Sequence, residues 1–183
     1  MNIEETKEKL KYAFENRQVL VLEKAFSEVP NWGNFVDMIE HVDSNNHNST
    51  NTRGDKFGIH ASMYIRISDV FDPVTKRSAG DKIPEFDAVL DFCNNLFEKE
   101  TTYAEAYINL KTQTDIAGAH NDPWTAVAWT CIGEVEWRIY RDQESKSDFY
   151  KIFTNPGDLI IIPQGVMHSV HPVTPRASIS LAY

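Results

Sequence analysis

The sequence predicts an all-β core with helices in front of it, and three observations carry that expectation. From about Tyr103 onward, short apolar runs follow one another at 104–110, 125–131, 135–140, 149–153, 158–162 and 177–182, separated by Gly, Pro and Asn turns. Such spacing is that of a sandwich or barrel. Ahead of them, apolar residues recur mainly at helical spacing. The 183 residues, 42% hydrophobic and 25% charged, show no internal repeat and no break in composition. One domain over 1–183 is therefore expected, with helices and strands in 1–102 supporting a β core in 103–183. A chain of this length buries roughly 70% of the surface its unfolded form exposes, so it needs no disulfide or metal for stability.

The elements follow in order. Leu10, Ala13 and Phe14 behind a charged first turn predict a surface helix over 3–16, and 18–22 reads as a strand. Trp32, Phe35, Val36 and Ile39 share one face of a second helix, from near Asn31 to about Val42. Residues 43–56 contain no apolar side chain, and a mobile loop or lid is expected there. Met63, Ile65 and Ile67 alternate with Tyr64 and Arg66 as in a strand. Phe86, Val89, Leu90, Cys93, Leu96 and Phe97 then form the apolar stripe of a helix over 85–99 that must pack on a sheet.

Composition excludes several classes of function. Acidic residues outnumber basic ones 27 to 18, a net charge of -9, and no stretch gathers Lys and Arg into a basic face, so no nucleic-acid partner is expected. The apolar runs fall far short of the ~20 residues that span a bilayer. The acidic, amphipathic start lacks the basic and apolar regions of a signal peptide, and a cytoplasmic protein is expected. Cys93 and Cys131 lie in apolar patterns and read as buried thiols without metal-site spacing.

Chemistry concentrates in two segments. In Gly118-Ala119-His120-Asn121-Asp122-Pro123-Trp124, the His and Asp two apart face the same side of an extended strand, where both can grip one ion. A third ligand is offered by the segment 157–168, in which an apolar strand runs into a Pro-x-Gly turn ending at His168. Two imidazoles and a carboxylate on one face leave three open positions on an octahedral metal, as in non-haem Fe(II) oxygenases, with zinc the competing ion. His171 is the rival for the third place. His41, His47 and His60 read as structural or exposed. Without an ion, two His and an Asp converging in a barrel would be costly to desolvate.

The segment 157–168 matches all four fixed positions of the second cupin motif, Gx5PxGx2H. Together with the HxD pair and the turn at Gly133, it resembles the Fe(II)- and 2-oxoglutarate-dependent oxygenases, including JmjC-type and prolyl-hydroxylase-like members. The resemblance covers roughly 103–183. It implies a cupin-like double-stranded β-helix, or jelly roll, with the N-terminal helices packed outside. It also implies Fe(II) held by His120, Asp122 and His168, with 2-oxoglutarate and O2 as cosubstrates.

In this family a basic residue inside the barrel holds the far carboxylate of 2-oxoglutarate. The JmjC-like position, about fifteen residues after the first His, is Val135 here. The prolyl-hydroxylase-like position is met by Arg176-Ala177-Ser178, which makes Arg176 the expected anchor with Ser178 assisting. Alternation puts Arg176, Ser178 and Ser180 on one face, and a guanidinium fork suits a carboxylate. Tyr107 and Asn109, on one face with Glu105, are further candidates for the cosubstrate, and Trp124 for the substrate side. Halogenases of the family typically carry Ala or Gly where Asp122 stands, so the intact carboxylate implies hydroxylation.

The expected activity is thus hydroxylation of a carbon in a peptide or protein side chain, a free amino acid or another small molecule. Two other readings stand beside it: a metal-dependent cupin isomerase or dioxygenase with no use for 2-oxoglutarate, and a barrel that binds a ligand without chemistry. The chain ends directly after its last strand, without the C-terminal helix that many larger relatives use to dimerise, and a monomer is expected.

Overall fold

The computed structural model describes residues 2–44, 64–67, 71, 75–76, 82–110, 112, 118–142 and 147–183, with the backbone alone at 39, 41–44 and 64–67. Helix α1 spans Ile3–Glu15 and opens on Asn2, whose side chain accepts the Glu4 N–H at 3.1 Å. It buries Thr6, Leu10 and Ala13. Strand β1, Leu20–Leu22, follows. Helix α2, Trp32–Ser44, opens on a reciprocal cap: Asn31 Oδ1 accepts from Gly33 N at 2.7 Å, and Asn34 Oδ1 accepts from Asn31 N at 2.9 Å. The helix runs two residues into the polar segment expected to be loop from 43, and 45–56 lie outside the described residues.

Strand β2, Tyr64–Ile67, and helix α3, Glu85–Phe97, complete the N-terminal part. The α3 stripe buries Phe86, Val89, Leu90, Cys93 and Leu96 as expected. The β core consists of β3 (Ala104–Asn109), β4 (Ala126–Ile132), β5 (Val135–Tyr140), β6 (Phe149–Thr154), β7 (Leu159–Ile162), β8 (His168–Pro172) and β9 (Arg176–Ala182). All pairings are antiparallel. The larger sheet has the order β1-β7-β4-β9-β3-β2, and the smaller one β6-β5-β8. This is the mostly β, cupin-like jelly roll with helices outside.

Two cores result. On one face of the larger sheet, Val127, Trp129, Cys131, Leu159, Ile161, Ala177, Ile179 and Leu181 meet the apolar faces of the helices. On the other face, Ala126, Ala128, Ile160 and Ile162 meet Val135, Trp137 and Ile139 of the smaller sheet. Strand β7 is apolar at every position because it is buried on both faces. Strand β8 was not expected: His-Ser-Val-His-Pro carries neither alternation nor β-branched runs, and it becomes a strand by pairing with β5.

Gly133 makes the tight β4–β5 turn at φ 77°, where a Cβ would lie 2.2 Å from the Pro175 carbonyl oxygen. Only glycine fits this approach, which locks the β8–β9 turn against the β4–β5 turn.

Candidate metal centre

His120, Asp122 and His168 come together, with one ligand atom from each lying within 4.8 Å of the others. The first two were expected on an extended strand. His120 instead forms an isolated antiparallel bridge with His168, and 121–125 are irregular. Convergence therefore comes from two main-chain anchors. His120 and His168 exchange backbone hydrogen bonds at 2.9 and 2.8 Å, and Gly165 of the Pro-x-Gly turn donates to the Asp122 carbonyl at 3.0 Å.

Both imidazoles are oriented the same way. His120 Nδ1 lies 3.0 Å from the Gly118 carbonyl oxygen, and His168 Nδ1 lies 3.0 Å from that of Val166. A carbonyl only accepts, so each Nδ1 carries the proton and each Nε2 keeps its lone pair. The lone pairs face the two oxygens of one carboxylate: His120 Nε2 is 3.8 Å from Asp122 Oδ1, and His168 Nε2 is 3.7 Å from Asp122 Oδ2. These separations are too long for hydrogen bonds. Burial, foremost, holds the His168 pKa below its ordinary value, which keeps the ring neutral and ready to ligate. The site opens toward His120, whose side chain is 36% exposed against 4% for His168.

His171 does not join them. It lies on β8 opposite Glu136, and its Nε2 shares a 2.8 Å hydrogen bond with Ser169 Oγ, which in turn bonds the Tyr140 hydroxyl at 3.0 Å. Alternation along β8 directs Ser169 and His171 to the face opposite His168. The side chain of His41 and the whole of His47 and His60 lie outside the described residues.

Arg176 is buried, at 3% exposure, and stands opposite Asn109 in the β3–β9 register, with Ser178 opposite Tyr107. Its Nε donates to Asn109 Oδ1 at 2.8 Å and its Nη1 to Ser178 Oγ at 3.3 Å. The Asn109 amide nitrogen is itself buried with no acceptor among the described residues. A buried guanidinium beside an unmatched N–H and a hydroxyl is a set of donors that suits a carboxylate. The Tyr107 hydroxyl donates to Glu105 Oε2 at 2.6 Å. Trp124 packs edge-on against Tyr103 with ring centroids 5.1 Å apart, and its buried indole N–H likewise has no acceptor among the described residues.

The orienting carbonyls of Gly118 and Val166 were not anticipated, since a main-chain acceptor leaves no signature in residue type. Glu105 was seen only as a neighbour of Tyr107 and Asn109, because its placement inside the barrel follows from the β3–β9 pairing.

No family model matches the sequence, and no curated protein matches it. Solved structures do. A structure of YcfD, a ribosomal oxygenase from Escherichia coli, superposes with a TM-score of 0.63 over 94% of this chain and 50% of that one, at 12% identity. The chain shares that fold. A second structure of E. coli YcfD gives 0.62 over 100% of this chain and 52% of that one, also at 12% identity. A third, in complex with cobalt and succinic acid, gives 0.61 over 94% and 50%, again at 12% identity. The chain spans about half the length of these neighbours. No helix among the described residues is long and apolar enough to cross a membrane.

Proposed function

We propose that this chain is an Fe(II)- and 2-oxoglutarate-dependent oxygenase that hydroxylates a carbon of a peptide or protein side chain, a free amino acid or another small molecule. The observation that carries the reading is the convergence of two Nε2 lone pairs on one carboxylate, with both Nδ1 atoms tied to carbonyls. That donor set, nitrogen and oxygen without thiolate, fits Fe(II). The neighbour with cobalt and succinic acid holds a divalent-metal element and a dicarboxylic acid in the same fold, which supports the reading.

Bound together at this centre, Fe(II), 2-oxoglutarate and O2 supply the oxidising equivalent for C–H hydroxylation, with succinate and carbon dioxide as by-products. The residues of the chain bind, orient and exclude water. His120, Asp122 and His168 hold the metal, and their main-chain anchors hold them. Arg176 takes the far carboxylate in a fork, the Asn109 amide gains the acceptor it lacks, and Ser178 Oγ supplies a further donor. Burial of all three keeps water from competing for that carboxylate, which strengthens each contact. Trp124 walls the substrate side, and its indole N–H meets a substrate acceptor. The exposed flank at His120 is the side from which a substrate would approach these ligands.

The test is anaerobic titration with Fe(II) and 2-oxoglutarate, followed by the visible metal-to-ligand charge-transfer band of the chelate. The expected result is a band at one equivalent that vanishes in His168→Ala. Metal binding with no band on adding 2-oxoglutarate would instead favour a cupin enzyme without that cosubstrate.

A further inference from the structure

A cleft lies beside the Pro-x-Gly turn, whose Gly165 and Val166 help to line it. It has a volume of about 1030 Å³, is open to solvent, and is lined among others by Arg17, Val19, Ile139, Arg141, Tyr150 and Val166. Two guanidiniums and the Asp142 carboxylate line it, together with the half-buried side chains of Val19 and Tyr150. Arg17 comes from the end of α1 and donates to the Gly165 carbonyl at 3.4 Å, and no carboxylate among the described residues takes up its charge. Arg141, from the β5–β6 hairpin, lies 5.8 Å over the Tyr150 ring and bonds Asp148 at 2.6 Å.

We propose that this cleft docks an extended peptide segment bearing an acidic residue beside an aromatic or branched apolar one. The acidic group meets Arg17, and the apolar neighbour covers Tyr150 and Val19. Two features favour a peptide over a metabolite. The volume stands at the top of the range of about 300–1,000 Å³ in which small ligands are enclosed, yet the cleft is open. Strand β6, which supplies Tyr150, lies at the edge of its sheet and among the described residues pairs only with β5, so a peptide backbone has a strand to lie along.

Position gives the cleft its bearing on the reaction. Val166 lines it and also holds His168 Nδ1, while Ile139 stands opposite His168 across the β5–β8 pair. A peptide seated here flanks the metal centre. This consequence rests on the oxygenase reading, whereas docking itself does not.

The experiment pans a random-sequence dodecapeptide library on the full chain without metal or cosubstrate. Enriched peptides are expected to carry Asp or Glu next to an aromatic or branched apolar residue. Their affinity is expected to fall at least about tenfold in Arg17→Glu, and again in Arg141→Glu. Both positions are on the surface, the milder Arg17→Gln is the companion variant, and thermal melts verify folding. Amide NMR shifts on adding the best peptide are expected at 165–167 and at Tyr150. Peptides without acidic preference, or affinities unchanged in both reversals, overturn the proposal. Full displacement by acetate at constant ionic strength overturns it in favour of a small-anion site. Because panning needs no iron and no 2-oxoglutarate, its failure leaves the oxygenase reading intact, and absence of the charge-transfer band leaves the cleft intact.

Discussion

His120 and His168 stand opposite each other and exchange both main-chain hydrogen bonds, so their side chains emerge on one face with ring centroids 4.5 Å apart. Two residues 48 positions apart in sequence are thereby held as closely as neighbours on adjoining strands. Removing one ring removes a ligand from a set that is otherwise still in place. His168→Ala is expected to weaken Co(II) binding by more than the roughly 10–100-fold that loss of an outer partner costs. Isothermal titration checks this, and retained stoichiometric binding at wild-type affinity would remove His168 from the centre.

Asn109→Asp keeps the shape beside Arg176 and replaces an unmatched donor by an anion. The new carboxylate pairs with Arg176 and repels a dicarboxylate, so 2-oxoglutarate affinity is expected to fall at least about tenfold while metal affinity holds. Titrating the cosubstrate against metal-loaded variant and wild type separates the two effects.

Trp137, whose ring centroid lies 6.3 Å from that of His168, donates from Nε1 to Thr154 Oγ1 at 3.0 Å; that oxygen shares a 2.8 Å bond with Thr130 Oγ1, and both threonines are fully buried. Thr154→Val leaves the indole N–H without a partner in a dry core. A loss of about 1–3 kcal/mol is expected in chemical denaturation. An unchanged midpoint would mean that the network contributes nothing net.

At Gly133, the positive φ and the 2.2 Å approach to Pro175 O oppose any side chain. Gly133→Ala is expected to cost about 2–4 kcal/mol, since the backbone must shift at two turns at once. The comparison of thermal midpoints measures it.

Acid sensitivity has an identifiable source on the outer face of β5. Burial pushes the Glu136 pKa up, but the hydrogen bonds from Lys151 and Arg138 outweigh it and hold the carboxyl below its ordinary value. A depressed folded pKa makes a contribution that is complete above the unfolded value of about 4.3 and lost as pH falls through the folded one. Glu136→Gln is expected to flatten that acid limb and leave the slope of stability near neutrality unchanged. Denaturation curves between pH 3 and pH 7, on the order of that window, test it.

Much of this was legible in the order of residues. The α3 stripe, the strands β3–β7 and β9, and the HxD and Pro-x-Gly-x-x-His segments carry their periodicities and turn residues locally, and local preference survives folding when the burial it anticipates is supplied. The face shared by Arg176 and Ser178 was equally plain, because alternation along a strand needs no knowledge of the partner.

Other features were settled only by the tertiary structure. The polar β8 is a strand because β5 pairs with it, and His120 faces His168 through a bridge between segments that share no local pattern. The choice of His168 over His171 follows from which side of β8 faces the barrel. The cleft between Arg17 and Tyr150 joins a helix end to a hairpin far along the chain. Sequence determines which side chains have a preference of their own; long-range hydrogen bonding and burial decide the rest, since those energies exist only once distant segments meet.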